Sequence, residues 1–307
     1  MTFQNLHAHT LYDDGRDTPR AMIEAAMAAG MPSMGISLHS PLPFPNGWAA
    51  KPESVAAFYQ EMRALRGEYA DYIDVYAGLE WDSLSGVEML PGDGGTSGNR
   101  TLPDDGAKLA PAEQPPCDCE GVSLPEIDCD YVIGSVHYMV LGGVRCAIDK
   151  SADATRAWLR DVFDGNADEA ARRYFAQVGS LADVVRVNIV GHFDLLTKFD
   201  EQERFFDASR PAYRAAALAA MERLCAAGKI FEINTGAISR GYRTTPYPSR
   251  ELLSELARMD GRVTVSADAH RAQDIAFGLE DAAALAKACG FRELWVLQKN
   301  EFVPVRI

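Results

Sequence analysis

No apolar run in this 307-residue chain approaches the roughly 20 residues that span a bilayer, so no membrane partner is expected. Positive charge is scarce as well. Against 44 Asp and Glu stand 30 Lys and Arg, a formal net charge of −14. That deficit argues against nucleic acid as the principal partner, because a phosphate backbone is bound by an excess of cations. A small anion remains admissible where a local cluster of cations reverses the field. No basic-then-apolar leader opens the chain, since Met1-Thr-Phe-Gln-Asn runs straight into a strand-like stretch, and a cytoplasmic location is expected. The six cysteines are scattered, which fits reduced thiols. Cys117-x-Cys119 lacks the usual wider gap between paired zinc ligands. Also missing are a phosphate-binding glycine loop, a dinucleotide fingerprint and a Ser-His-Asp arrangement.

What is present is alternation. Strand-like runs at 3–9, 33–39, 75–82, 131–138, 187–194, 230–234, 262–270 and 293–297 alternate with helical stretches. The helical stretches cover 18–29, 53–69, 154–178, 210–227, 247–259 and 280–288, and Thr18-Pro19, Pro211 and Pro248-Ser249 mark helix starts. Such alternation implies parallel strands joined by right-handed crossovers. Seven or eight units of this kind make a barrel, here as one domain over 1–307. One segment breaks the rhythm. From 83 to 128 the chain is rich in Gly, Pro and Asp without a sustained period, a long loop insertion leaving the C-terminal end of a strand. It reads either as a lid over a site or as a solvated excursion.

Histidine is used in one kind of place only. The chain has six, and His7, His9, His39, His137, His192 and His270 all fall at or just past the end of a strand-like run. A single histidine there is more often a hydrogen-bonded structural residue than a ligand. The joint pattern carries more weight, because residues i and i+2 on a strand share a face. His7-x-His9, Glu80-x-Asp82, His192-x-Asp194, Glu232-x-Asn234 and Asp268-x-His270 each present two polar groups on one side. In a parallel barrel the C-terminal strand ends share one rim. Imidazoles and carboxylates converging on that rim describe a metal site.

These residues match a family pattern. Asn5-Leu-His7-Ala-His9-Thr with Asp14-Gly15, Gly35-Ile-Ser-Leu-His39, Gly78-Leu-Glu80, Gly134-Ser-Val-His137, Gly191-His192-Phe-Asp194 and Ala267-Asp268-Ala-His270 resemble, in order, the motifs of the PHP superfamily of metal-dependent phosphoesterases. Asp130-Tyr-Val-Ile-Gly-Ser-Val-His137-Tyr, Gly191-His-Phe-Asp-Leu-Leu-Thr-Lys198-Phe and Phe231-Glu-Ile-Asn234-Thr are similar to its histidinol-phosphate phosphatase branch. The serine that often precedes the last motif's Asp is displaced to Ser266, and the 83–128 insertion is longer than that branch leads one to expect.

The resemblance implies a distorted (β/α)7-type TIM-like barrel with the metal site at the C-terminal ends of the strands. It implies three divalent metal ions, Zn, Fe or Mn. One would be held by His7, His9, Glu80 and Asp268, the second by Glu80, His137 and His192, and the third by Asp14, His39 and His270. Asp14 is chosen over Asp13 for its Asp-Gly pairing. Glu80, His137 and Asp268 would be central to catalysis. Lys198, Arg240 and Arg243 are candidate phosphate contacts, with surface solvation as the alternative. Asp82, Asp194 and Asn234 would orient the ligands, while Glu232 would line the pocket and Tyr242 pack beside it. The implied reaction is hydrolysis of histidinol phosphate to histidinol and phosphate, a step of histidine biosynthesis. Other readings are another small phosphomonoester, a phosphodiester or nucleotide substrate, and a binding module without chemistry. The complete ligand set stands against the last.

Overall fold

Burial from end to end marks the first two strands. β1 (Ser33–His39) is buried along its whole length and β2 (Asp74–Asp82) along all but its first residue, as parallel strands covered on both faces are. The computed structural model describes residues 3–84, 127–141 and 143–307. After β2 come β3 (Tyr131–Ser135), a hairpin of β4 (Tyr138–Leu141) and β5 (Val144–Ala147), then β6 (Ile189–Val190), β7 (Ile230–Asn234) and β8 (Arg262–Ser266). A second hairpin, β9 (Glu293–Gln298) and β10 (Glu301–Arg306), ends the chain. β1-β2-β3-β6-β7-β8 form a six-stranded sheet in that order, every pair parallel. It is a curled sheet in a mixed α/β fold. The segment expected as the first strand is no ladder of its own, yet it joins both sheet edges. Asn5 bridges Met34 and Ala8 bridges Ala269, with Gly35 N donating to Asn5 O at 2.8 Å and His9 N to Ala269 O at 2.9 Å.

The helices are α1 (Pro19–Ala28), α2 (Pro52–Tyr69), α3 (Ala152–Phe163), α4 (Ala167–Ser180), α5 (Asp200–Glu203), α6 (Pro211–Ala226), α7 (Gly236–Ser239), α8 (Arg250–Arg258) and α9 (Leu279–Cys289). Thr18, Ser151, Asn166 and Ser249 accept from backbone N–H groups at the starts of α1, α3, α4 and α8, as N-caps do. The single helix expected over 154–178 is two. Asp164 and Gly165 adopt left-handed φ of 50° and 76° and end α3, and Asn166 opens α4. The expected strand 187–194 shrinks to Ile189–Val190, so His192 and Asp194 stand on the loop beyond it. Segment 293–297 does not extend the parallel sheet. It pairs antiparallel with β10. The insertion at 83–128, with Cys117 and Cys119, lies outside the described residues apart from its ends. No helix among the described residues is long and apolar enough to cross a membrane.

Alternation of side chains gives the sheet two unlike faces. Met34, Ile36, Leu38, Val75, Leu79, Val132, Phe231 and Val263 pack with helical residues such as Met22, Phe58 and Leu224 in the main core. The opposite face is graded along the strands. At its start, Leu6, Tyr76, Tyr131, Ile133, Ile189, Ile230 and Leu297 form a separate apolar cluster. Leu297 reaches it from β9, held where Leu297 N donates to Gln4 Oε1 at 2.8 Å and Gln4 Nε2 to Leu297 O at 2.9 Å. Further along, the same face carries Glu80, Ser135, Glu232 and Ser266, all buried. An apolar floor therefore lies under a polar rim.

Tyr131 shapes that floor. A Cβ on Gly35 or Gly78 would collide with its ring, and its hydroxyl donates to Leu6 O. Gly78→Ala is expected to destabilise the protein by about 1–3 kcal/mol through overpacking, read by denaturant unfolding. A wild-type midpoint would mean that the ring does not fill this space.

A candidate metal centre

Glu80, near the end of β2, is the hub of the rim. His7 Nε2, His9 Nε2 and His39 Nδ1 lie 3.1, 3.4 and 3.0 Å from its Oε2. His192 Nε2 and His137 Nε2 lie 3.1 and 3.7 Å from Oε1, and Ser135 Oγ donates to Oε1 at 2.7 Å. Asp268 is the second pole. Its Oδ1 is 3.8 Å from His7 Nε2, 3.5 Å from His9 Nε2 and 3.5 Å from His270 Nδ1. Asp14 Oδ1 is 3.2 Å from His270 Nε2 and 3.6 Å from His39 Nε2. The sequence-predicted set of His7, His9, Asp14, His39, Glu80, His137, His192, Asp268 and His270 is thus brought to one place.

Behind these groups stands a ring of carboxylates that orients the imidazoles. Glu232 Oε2 is 2.8 Å from His7 Nδ1, Asp13 Oδ2 is 3.0 Å from His9 Nδ1, and both oxygens of Asp82 are 3.0 Å from His137 Nδ1. These acceptors hold a proton on Nδ1 and turn Nε2 towards Glu80 and Asp268, so that metal binding would displace only the Nε2 proton. Asp13 also accepts from Thr10 N and His39 N. Asp82 thus lies against His137, and Asp13 and Glu232, which the sequence reading did not name as orienting residues, lie against His9 and His7 in the same way. The signal for Glu232 was its place beside Asn234 on one strand face. Asn234 Nδ2 donates to Glu232 Oε1 at 2.8 Å and to Asp268 Oδ2 at 3.4 Å. Among the described residues Asp194 makes no hydrogen bond to an imidazole. Its Oδ2 accepts from Ser249 N at 3.1 Å.

The candidate phosphate contacts part company. Arg240 is at the rim, its guanidinium 2.8 Å from Asp268 O, 2.9 Å from Asp268 Oδ2 and 2.9 Å from His270 Nδ1. It braces Asp268, whose φ of 46° is a left-handed conformation uncommon outside glycine. Gly236 leaves room there, since a Cβ would strike the Asp268 side chain. Lys198 Nζ donates to Asp149 and lies 4.6 Å from the Tyr242 ring centroid. Arg243 is buried elsewhere, donating to Thr197 and Thr245 over the Tyr247 ring. Trp48 walls the site, its ring centroid 4.5 Å from that of His39 and 5.0 Å from that of His137.

Charge follows geometry. Burial opposes ionisation of Glu80, yet His7 and His39 hold its carboxyl well below the usual range. Burial likewise opposes charge on Asp268, and Arg240 with His7 overcomes it. Burial works against protonated His9 and His137, but Asp13 and Asp82 respectively push each up to about 10. His270 shifts down through burial and the neighbouring His9.

The donor set fits divalent cations. His7 Nε2, His9 Nε2, His39 Nδ1, Glu80 Oε2 and Asp14 Oδ1 are buried without a hydrogen bond, and each such atom costs about 1–3 kcal/mol unless a partner is supplied. His7, His9 and Asp268 offer ligand atoms within 4.8 Å of one another, as do His7, Glu80 and His192, and His9, His39 and His270. Mixed imidazole and carboxylate donors suit Zn, Fe or Mn.

A curled parallel sheet with such a rim defines a class, and the chain belongs to the PHP domain family, whose model matches residues 5–236. It is 27% identical over 292 residues to a probable histidinol-phosphatase of Deinococcus radiodurans, with 93% of each chain covered. A probable histidinol-phosphatase of Schizosaccharomyces pombe is 23% identical over 309 residues, covering 96% of this chain and 86% of that one. The fold matches the crystal structure of Lactococcus lactis histidinol phosphate phosphatase complexed with zinc, L-histidinol and phosphate. The TM-score is 0.70 at 20% identity, covering 98% of this chain and 99% of that one.

Two outcomes are expected. Because His9 and His137 hold protons up to about pH 10 and ligands must be deprotonated, Zn²⁺ uptake by metal-free protein should release protons. Its affinity should rise from pH 6 to pH 8; calorimetry in buffers of differing ionisation enthalpy reads both, and a pH-independent affinity would contradict proton loss from these imidazoles. Glu232→Gln should weaken metal affinity roughly 10- to 100-fold by loosening His7, measured by competition with a chelator.

Proposed function

We propose that this chain is a metal-dependent phosphomonoesterase hydrolysing histidinol phosphate to histidinol and phosphate, a step of histidine biosynthesis. The observation that carries the reading is the convergence of His7, His9, His39, His137 and His192 on the Glu80 carboxylate within 3.0–3.7 Å. Its support is the likeness, over nearly the whole chain, to relatives named for that activity. In this reading the segment around His7 and His9 takes the seventh position of a (β/α)7-type barrel, because it bonds to β1 and to the run after β8. Three ions would sit at its C-terminal mouth. His7, His9, Glu80 and Asp268 would hold one, Glu80, His137 and His192 another, and Asp14, His39 and His270 the third.

Divalent ions so held lower the pKa of water towards neutrality and offset phosphoryl charge. The chain's own residues do the rest. Asp13, Asp82 and Glu232 fix the imidazoles in ligating orientation, so little reorganisation remains when the ester arrives. Arg240, 29% exposed at the rim, presents a fixed cation to the phosphoryl group and holds Asp268 in place. Lys198 adds a second positive charge nearby. Arg243, spent on Thr197 and Thr245, positions the loop after β6 rather than the phosphate.

Glu80→Gln should lower kcat/KM by at least about 100-fold, as loss of a group aimed at transition-state charge does, and should reduce metal content at more than one position. Elemental analysis and steady-state assays read the two effects. On a panel of phosphate esters, histidinol phosphate should be preferred over aryl phosphates and adenine nucleotides. A preference for a diester or nucleotide would replace this substrate while keeping the metal centre.

A further inference from the structure

The hairpin β4–β5 delivers a carboxylate to a place where phosphate binding gives it no use. Asp149 follows β5, and the preceding Ile148 N donates to His137 O at 2.8 Å, so Asp149 emerges beside a candidate ligand. Lys198, on the loop that carries His192, clamps it from the other side. Its Nζ donates to Asp149 O at 3.0 Å and to Asp149 Oδ2 at 3.1 Å. His137 and His192 lie close enough to act on the charge of Asp149, which in turn bears on Arg240. Asp149 nevertheless belongs to none of the candidate metal clusters and orients no imidazole. Its Oδ1 accepts no hydrogen bond among the described residues, and its side chain is 32% exposed.

A carboxylate at the mouth of a site for a dianionic ester is repulsive unless something offsets it. Lys198 takes one oxygen. The other is left open to a further cation. We propose that Asp149 is a specificity residue whose free Oδ1 receives the protonated amine of the leaving alcohol. The proposal rests on the phosphomonoesterase reading above and narrows it to esters of amino alcohols. Burial opposes ionisation of Asp149, but Lys198, paired with it at 3.1 Å, lowers its carboxyl, so it is anionic at neutral pH. The arrangement selects in both directions: an ammonium gains a charge-assisted bond, while an alcohol bearing a carboxylate meets a like charge. It also accounts for Lys198 being held over Tyr242 and against Asp149.

The test compares histidinol phosphate with its amine-free counterpart, 3-(imidazol-4-yl)propyl phosphate, in the metal-loaded wild type, Asp149→Asn and Asp149→Glu. Asp149→Asn should shrink the ratio of kcat/KM between the two esters by roughly 10- to 100-fold, the worth of one hydrogen bond to a charged group. The loss should lie mainly in KM for the amine ester, and Asp149→Glu should restore part of the ratio. Metal content and melting temperature of each variant exclude a folding effect. An equal loss on both esters would reduce Asp149 to a support for Lys198 and overturn the proposal. Should the wild type reject histidinol phosphate, the substrate reading itself falls, and phosphoethanolamine against ethyl phosphate then judges Asp149 by the same ratio. No change in that ratio overturns the proposal as well.

Discussion

The carboxylate of Glu80, buried to 1% exposure among imidazole nitrogens, is the constraint from which the rest follows. A charge so deeply desolvated is tolerable only with opposite charge at hand. Protons on imidazoles or metal ions among them are the two available sources. Its surroundings show the demand being met from every side. Ser135 donates to one oxygen, and imidazoles from the N-terminal segment, β1, the end of β3 and the loop after β6 aim at both. No single element could supply that many donors. Curling a parallel sheet until its strand ends share one rim brings them together.

Beneath the rim, Tyr131 and its apolar neighbours make up the floor, and Leu297 of the C-terminal hairpin packs with them. The division of labour has a dielectric reason. Charged groups crowded at one end need rigid, water-poor support so that their mutual interactions stay strong. Gly35 and Gly78 belong to the same design, since only residues without a Cβ let the Tyr131 ring lie across β1 and β2. The outward face of the same strands is ordinary core and carries none of this chemistry.

The strand-end positions of His39 and Glu80 were legible in the sequence, because side chains two apart on a strand share a face and histidine appeared nowhere else. So was parallel pairing, implied by strand-helix alternation. The expected strand at 3–9 makes only isolated bridges, and that at 187–194 keeps only Ile189–Val190 as a ladder, with His192 beyond it. A periodic apolar run signals burial, whereas a ladder depends on backbone partners in register. Likewise 293–297 carried a strand's composition but not its partner, and β10 claimed it for a floor beneath the sheet.

Among charged groups the sequence by itself determined which residues are chemically able to hold a metal, since imidazole and carboxylate identity is local. It did not determine which carboxylate ligates and which orients. Asp13 and Asp14 are neighbours in the chain, yet Asp13 faces His9 Nδ1 and the N–H of His39, while Asp14 faces His39 and His270. Glu232 and Asp194 both follow the same alternating pattern. Only the fold sends Glu232 behind His7 and Asp194 to the backbone of Ser249. Arg240 and Arg243, two basic residues on one loop, are separated in the same way, one to the rim and the other to buried hydroxyl and carbonyl acceptors. A donor's partner is set by distance in space, and for most of these groups the partner lies tens to hundreds of residues away in the chain, which no local pattern encodes.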